Sequence, residues 1–189
     1  FSFQGRTIAC PLVLGVTLSM LSAHAAEDPR DAAKAERMAP WRDLRYGLFI
    51  QWGPYSDLGG IYQGKAIEGG PEQIMNSASI PREHYRELAR SLDPKHYDPS
   101  ELVNFAKDSG FKSIVMTAKF NDGFSLFDSR HSDFDAVDVI PAKRDLLKEF
   151  SEACKKSGIP LGYYYAIGTD WFHPGGYAHS RMENADVST

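Results

Sequence analysis

Cysteine is scarce in this chain. Of two cysteines among 189 residues, Cys10 lies in an apolar leader, which leaves Cys154 alone downstream and no internal disulfide available. A surplus of positive charge is also missing. The 21 Lys and Arg stand against 25 Asp and Glu, a net charge of -4, which excludes the basic footprint of a nucleic-acid binder. No apolar run is long enough to span a bilayer. The longest, residues 7–21, is interrupted by Pro11, Gly15, Thr17 and Ser19 and falls short of the roughly 20 residues a span needs. Metal ligands do not cluster: His173 and His179 are loosely spaced, with no cysteine or third ligand near them. Asp133, Asp135 and Asp138 form an acidic patch before Lys143 and Arg144, which reads as loop structure rather than a calcium site. No cofactor is implied.

What the chain does contain begins with that leader. Arg6 precedes the apolar run, and small residues follow at Ser22, Ala23, Ala25 and Ala26. A basic start, an apolar middle and an A-x-A-like exit at 23–25 read as a secretory signal peptide over residues 1–26, so a secreted or periplasmic protein is expected. Residues 27–39 are charged and rich in alanine, consistent with an exposed helix or a leader.

Three apolar runs then stop abruptly in polar residues. Residues 48–50 run into Gln51, Trp52, Gly53 and Pro54. Residues 113–118 run into Lys119, Phe120, Asn121, Asp122 and Gly123. Residues 161–166 run into Gly168, Thr169, Asp170 and Trp171. Buried parallel strands end in this way where they leave a core and open into loops.

Helical signals separate the runs. Pro81 and the acid at Glu83 open a helix reaching Leu92, with His84 and Arg86 on faces expected to be exposed. Asp98, Pro99 and Glu101 make a capped start for a second helix that stops at Gly110. A third is expected over residues 144–156, ending at Gly158, with Lys155 and Lys156 suited to its negative end and Cys154 on its apolar face as a buried structural thiol. Residues 56–79 are Gly-rich and without a period, a long loop of the kind that usually serves function.

Strands alternating with helices make repeated βα units and an α/β class. A doubly wound sheet fits as well as a barrel, but no Gly-rich phosphate turn follows the first strand, against the dinucleotide-binding version. An eight-stranded barrel typically takes about 250 residues. Three strands are found here, so the expectation is a (β/α)8 TIM-type barrel of which residues 27–189 carry only the first three or so units.

Three segments carry a family resemblance: GLFIQWGPYS at 47–56, IPREHYRELARSLDPKHYDPSELVNFAKDSGFKSIVMTAKFNDGFSLFDS at 80–129, and RDLLKEFSEACKKSGIPLGYYYAIGTDWFHPGG at 144–176. Their order and spacing resemble the α-L-fucosidase family of glycoside hydrolases. The resemblance implies a catalytic (β/α)8 barrel and hydrolysis of terminal α-L-fucose, or a related sugar, with retention, by two carboxyls about 5–5.5 Å apart. It also implies that the nucleophile, an Asp ending the fourth strand, and the later acid/base Glu lie beyond Thr189, so no catalytic residue is expected within the chain. Asp122 and Asp170 are expected to brace their loops.

The resemblance further implies a sugar pocket, and this chain departs from the pattern there. Where the family has a histidine in a FIHWG-like motif, Gln51 stands beside Trp52. Where it has adjacent histidines in KHHDGF, Phe120 and Asn121 stand. The GEWIM-like loop keeps Glu72 but has Gln73 for tryptophan, and the YYS-like strand end reads Tyr164, Tyr165, Ala166. Gln51, Trp52, Glu72, Phe120, Asn121 and Tyr165 are thus the expected substrate-binding residues. Gln and Asn can replace His toward a sugar hydroxyl, whereas Phe120 can only stack or fill space. Along a strand Tyr164 is expected to face opposite to Tyr163 and Tyr165. Trp171 is expected at the rim, and His131 in solvent. The partner expected is a fucosylated or related glycan. The alternative is a carbohydrate-binding protein on the same barrel whose hydrolytic site has lapsed.

Overall fold

A computed structural model describes residues 29–174. The leader expected over residues 1–26 and the positions after Pro174, His179 among them, lie outside the described residues. The first described element is the helix α1 (Pro29–Asp43), exposed along nearly its whole length, as the charged composition of residues 27–39 suggested.

From Trp41 onward the chain forms a compact unit. Strand β1 (Gly47–Ile50) opens it. The stretch expected to be one long loop is instead finely structured. Helix α2 (Pro54–Leu58), a hairpin of β2 (Ile61–Tyr62) and β3 (Lys65–Ala66), a 3-10 turn at Pro71–Gln73 and helix α3 (Ile74–Ser77) fill it. These elements are too short to show a period in sequence. The glycines serve as their joints: Gly59, at φ 54, closes α2 in the left-handed region.

Helix α4 (Arg82–Ala89) starts after Pro81 and ends three residues before the expected Leu92. His84 is exposed as expected. Arg86 is not. Its guanidinium lies over the Phe134 and Phe172 rings, 5.4 and 5.0 Å from their centroids, and pairs with Asp133 at 2.8 Å. Helix α5 (Pro99–Asp108) is capped by Asp98, whose carboxylate accepts from the amides of Ser100 and Glu101. Strand β4 (Ser113–Lys119) follows, then helix α6 (Leu146–Ser157) and strand β5 (Leu161–Tyr165). Arg144 stays outside α6, bonded to Glu149 of its first turn, and Asp145 caps the helix.

The three long strands pair in parallel in the order β1-β4-β5. Period-two alternation gives this sheet two faces. Ile114, Met116 and Ala118 are buried in one apolar core with Val103 and Ala106 of α5 and Leu146, Phe150 and Cys154 of α6. Burial pushes the Cys154 thiol up to about 11, so it stays protonated and packs as a small hydrophobe. The opposite face carries Phe49, Val115 and Tyr164, and Phe49 is 52% exposed. The fold is therefore a parallel α/β sheet with helices on one face.

Candidate functional site

Parallel pairing in this order places the three strand C-termini side by side, so Gln51, the pair Phe120 and Asn121, and Tyr165 leave the sheet along a single edge. Open α/β sheets and barrels alike bind ligands at that edge, because the loops there are free of core packing.

Gln51 is exposed at the end of β1. Trp52 is half-buried, its ring centroid 4.8 Å from that of Tyr97, whose hydroxyl donates to the Leu146 carbonyl at the start of α6. Trp52 thus packs the rim between strand and helices and offers little free surface to a ligand. Phe120 departs furthest from a ligand-facing position. It is 6% exposed, and its ring meets Tyr55, Tyr164 and Trp171 at 5.6, 5.8 and 6.5 Å. The side chain at a position where the family resemblance expects a polar reader has turned into an aromatic cluster. Asn121 beside it stays partly accessible, its carbonyl accepting from the Trp171 amide at 2.7 Å. Glu72 lies half-buried in the 3-10 turn, close enough that its charge helps to hold the buried Tyr55 hydroxyl above its ordinary range, behind burial itself and the Asp122 charge.

At the end of β5 the pairing with β4 becomes irregular. Tyr163 bonds Ser151 of α6 at 2.9 Å, and Tyr164 turns to Phe49 and Phe120 on the open face, as period two requires. An irregularity in β4 between Thr117 and Lys119 then sets Lys119 opposite Tyr165. The Lys119 ammonium lies 5.3 Å from the Tyr165 ring centroid.

Beneath these residues Asp122 and Asp170 brace their loops as expected, with partners, Tyr85 and Lys119, that the sequence did not announce. Lys119 is buried, pairs with Asp170 at 2.9 Å and donates to the Ala166 carbonyl at 3.3 Å, tying β4 to the loop after β5. Asp170 also accepts from the amides of Phe172 and His173. Asp122 is fully buried and accepts from the Tyr85 hydroxyl at 2.8 Å and the Phe124 amide at 3.2 Å. Burial pushes its carboxyl up to about 7 against the lowering pull of Tyr85, the Phe124 amide and Lys119. Gly123, at φ +83, sits between the two loops. A Cβ there would come within 2.6 Å of Asp170 Oδ1 and the Phe172 Cβ. Both carboxylates brace loops: Asp122 is sealed in the core, and Asp170 is held by Lys119 and the amides of Phe172 and His173.

Asp135 is likewise structural, accepting from the amides of Ser129, Val137 and Asp138. Trp171 is buried against Phe120 at the rim, and His131 is exposed. Among the described residues, no group of three His, Cys, Asp or Glu stands together to hold a metal ion, and no helix is long and apolar enough to cross a membrane.

The fold and site define a class: a parallel α/β sheet whose strand-end loops are locked together and present amide, carboxylate and phenol groups suited to hydroxylated ligands. Comparison with known proteins makes it particular. The family model for alpha-L-fucosidase matches residues 16–188, and the chain belongs to that family. It is 29% identical over 180 residues to plasma alpha-L-fucosidase of Rattus norvegicus, covering 90% of this chain and 39% of that protein. It is 30% identical over 165 residues to the plasma enzyme of Homo sapiens, covering 80% and 35%. Among solved structures it is similar to alpha-L-fucosidase AlfC from Lactobacillus casei in complex with α-L-fucose product, with a TM-score of 0.72 and 35% identity, covering 75% of this chain and 44% of that one. The chain spans about two fifths of the length of these relatives.

Proposed function

We propose that the whole protein is a glycoside hydrolase that removes terminal α-L-fucose, or a related sugar, from glycans. In this reading residues 27–189 supply the first three βα units of a (β/α)8 barrel, and Gln51, Glu72, Asn121 and Tyr165 hold the sugar. The observation that carries it is the convergence of Gln51, Asn121 and Tyr165 on one sheet edge in a chain of this family.

The reaction would be double displacement. One carboxylate attacks the anomeric carbon while a carboxylic acid protonates the leaving oxygen, and water then releases the sugar with retained configuration. Asp122 is spent on Tyr85 and Asp170 on Lys119, so in this reading neither serves as nucleophile or acid/base. What these residues contribute is orientation. Amides and carboxylates at a strand end can share a sugar's hydroxyls while the sheet holds them fixed. Export through the leader at 1–26 is part of the same proposal.

A lapsed, sugar-binding protein is the second reading, and the withdrawal of Phe120 from the site favours it. Hydrolysis of an aryl α-L-fucoside by the full-length protein, with aryl glycosides of other sugars in parallel, separates the two. Release from the fucoside supports the enzyme reading. Release only from another glycoside means that the pocket reads a different sugar. Silence from the folded protein favours the binding reading.

A further inference from the structure

Gly70 stands just before the 3-10 turn Pro71–Gln73, and its backbone does not require a glycine. Its φ of -73 and ψ of 147 are ordinary extended angles, open to any residue that precedes a proline. What it lacks is room. A Cβ built there would find the carboxyl carbon and both carboxylate oxygens of Glu72 closer than 3.0 Å. The Glu72 side chain folds back over the Gly70 backbone and fills the space that another side chain would take. We propose that Gly70 is a positioning residue for the sugar site, keeping free the space in which the Glu72 carboxylate waits for a sugar hydroxyl. This assignment rests on the reading above in which Glu72 holds the sugar, and adds to it the residue that places that carboxylate.

Two observations point to a ligand at Glu72. The residue is half-buried, yet its carboxylate accepts no hydrogen bond and joins no ion pair among the described residues. A carboxylate drawn partly out of water gains most from a donor, and a sugar hydroxyl is one. Its surroundings are also unspent. Glu72 lies near enough for its charge to bear on Tyr55, whose hydroxyl is buried without a hydrogen bond of ordinary geometry. The atoms that crowd Gly70 are the free end of a flexible side chain, so a methyl group there shifts the carboxylate and leaves the backbone in place. At Gly123, by contrast, φ is +83 and the Cβ of Phe172 stands in the way. Gly70→Ala therefore separates the position of one carboxylate from the stability of the fold.

The test uses the full-length protein with Gly70→Ala, Glu72→Ala and the two together. The readouts are thermal melts, binding of L-fucose followed by ligand-observed NMR, and kcat/KM for the aryl fucoside. If the wild type releases a different aryl glycoside, that glycoside and its sugar take their place. Gly70→Ala is expected to leave Tm within about 2 °C or to raise it, since alanine at these angles restricts the unfolded chain. It should weaken sugar binding and lower kcat/KM by about tenfold, the loss of one hydrogen bond to a charged group. In the Glu72→Ala background, Gly70→Ala should change neither by more than about twofold, because the carboxylate it displaces is gone. Unchanged binding and turnover in Gly70→Ala, while Glu72→Ala weakens both, overturns the assignment and leaves Glu72 in the sugar site. So does an equal loss from Gly70→Ala in both backgrounds, or a large fall in Tm, which would make the glycine structural. If Glu72→Ala is itself without effect, the role of Glu72 in the reading above fails and Gly70 has nothing to place. A wild type that binds no sugar and cleaves no aryl glycoside sinks the glycosidase reading, and the assignment with it.

Discussion

The two faces of the central sheet are built from the same three strands and have different fates. On one, Ile114, Met116 and Ala118 disappear beneath α5 and α6. On the other, Phe49 is 52% and Tyr164 37% exposed, and near the base of β1 an apolar cavity of about 290 Å³ lies open among Trp41, Leu44, Phe49 and Val115. Aromatic rings do not stand in water on a sheet without consequence. The helix-covered face has its partners within this chain. The open face has the composition of a core and no cover among the described residues, which is what the inner wall of a barrel would look like before the remaining strands close on it. In the reading proposed above, this open face is that inner wall.

The largest effect that can sharpen this contrast comes from the covered side. Phe150→Ala in α6 empties a fully buried site and is expected to cost about 3–5 kcal/mol, read by denaturant melts of the full-length protein.

Comparable in size, but dependent on pH, is the effect of Asp122. Its folded-state value near 7 lies above the ordinary 3.8, so the folded protein holds that proton more tightly than the unfolded chain does. Its contribution is present in full below pH 4 and is lost as pH rises through about 7, on the order of 4 kcal/mol at most. Asp122→Asn keeps a neutral group there and is expected to flatten stability against pH over that window. An unchanged slope would show that another group carries it.

Phe49→Ala addresses the open face directly. In the full-length protein it is expected to cost about 3 kcal/mol, as for any buried aromatic, although in the present structure the ring is half in water. A cost within about 0.5 kcal/mol would mean that the face stays exposed. Smallest is Gly123→Ala, expected to cost about 1–3 kcal/mol through its positive φ and the crowding against Asp170 and Phe172. It should also lower turnover, since the loop carrying Asn121 would separate from the loop after β5.

Much of the fold was legible in sequence. Three apolar runs with polar exits became the three parallel strands, and Asp98 with Pro99, and Gly158, mark helix ends as their chemistry requires. Residues 56–79 were not legible, because turns of four or five residues leave no periodicity. The irregularity in β4 that sets Lys119 opposite Tyr165 has no local signal in sequence. Arg86 looked like a solvent residue because sequence cannot show that Phe134 and Phe172, far along the chain, come back to cover it. The site was legible as positions but not as orientations. Gln51, Asn121 and Tyr165 do gather at one edge, while Phe120 and Trp52 turn to packing. The Lys119–Asp170 and Tyr85–Asp122 contacts joined residues 51 and 37 positions apart, beyond the reach of local pattern.

The most direct measurement on the open face takes residues 27–189 alone and compares them with the full-length protein by thermal melt and by binding of a hydrophobic dye. With the inner wall of a barrel uncovered, the piece is expected to bind dye strongly, to associate and to melt without a sharp transition, while the full-length protein melts cooperatively and binds little dye. A soluble monomer of residues 27–189 with a single sharp melt and no dye binding would contradict the account.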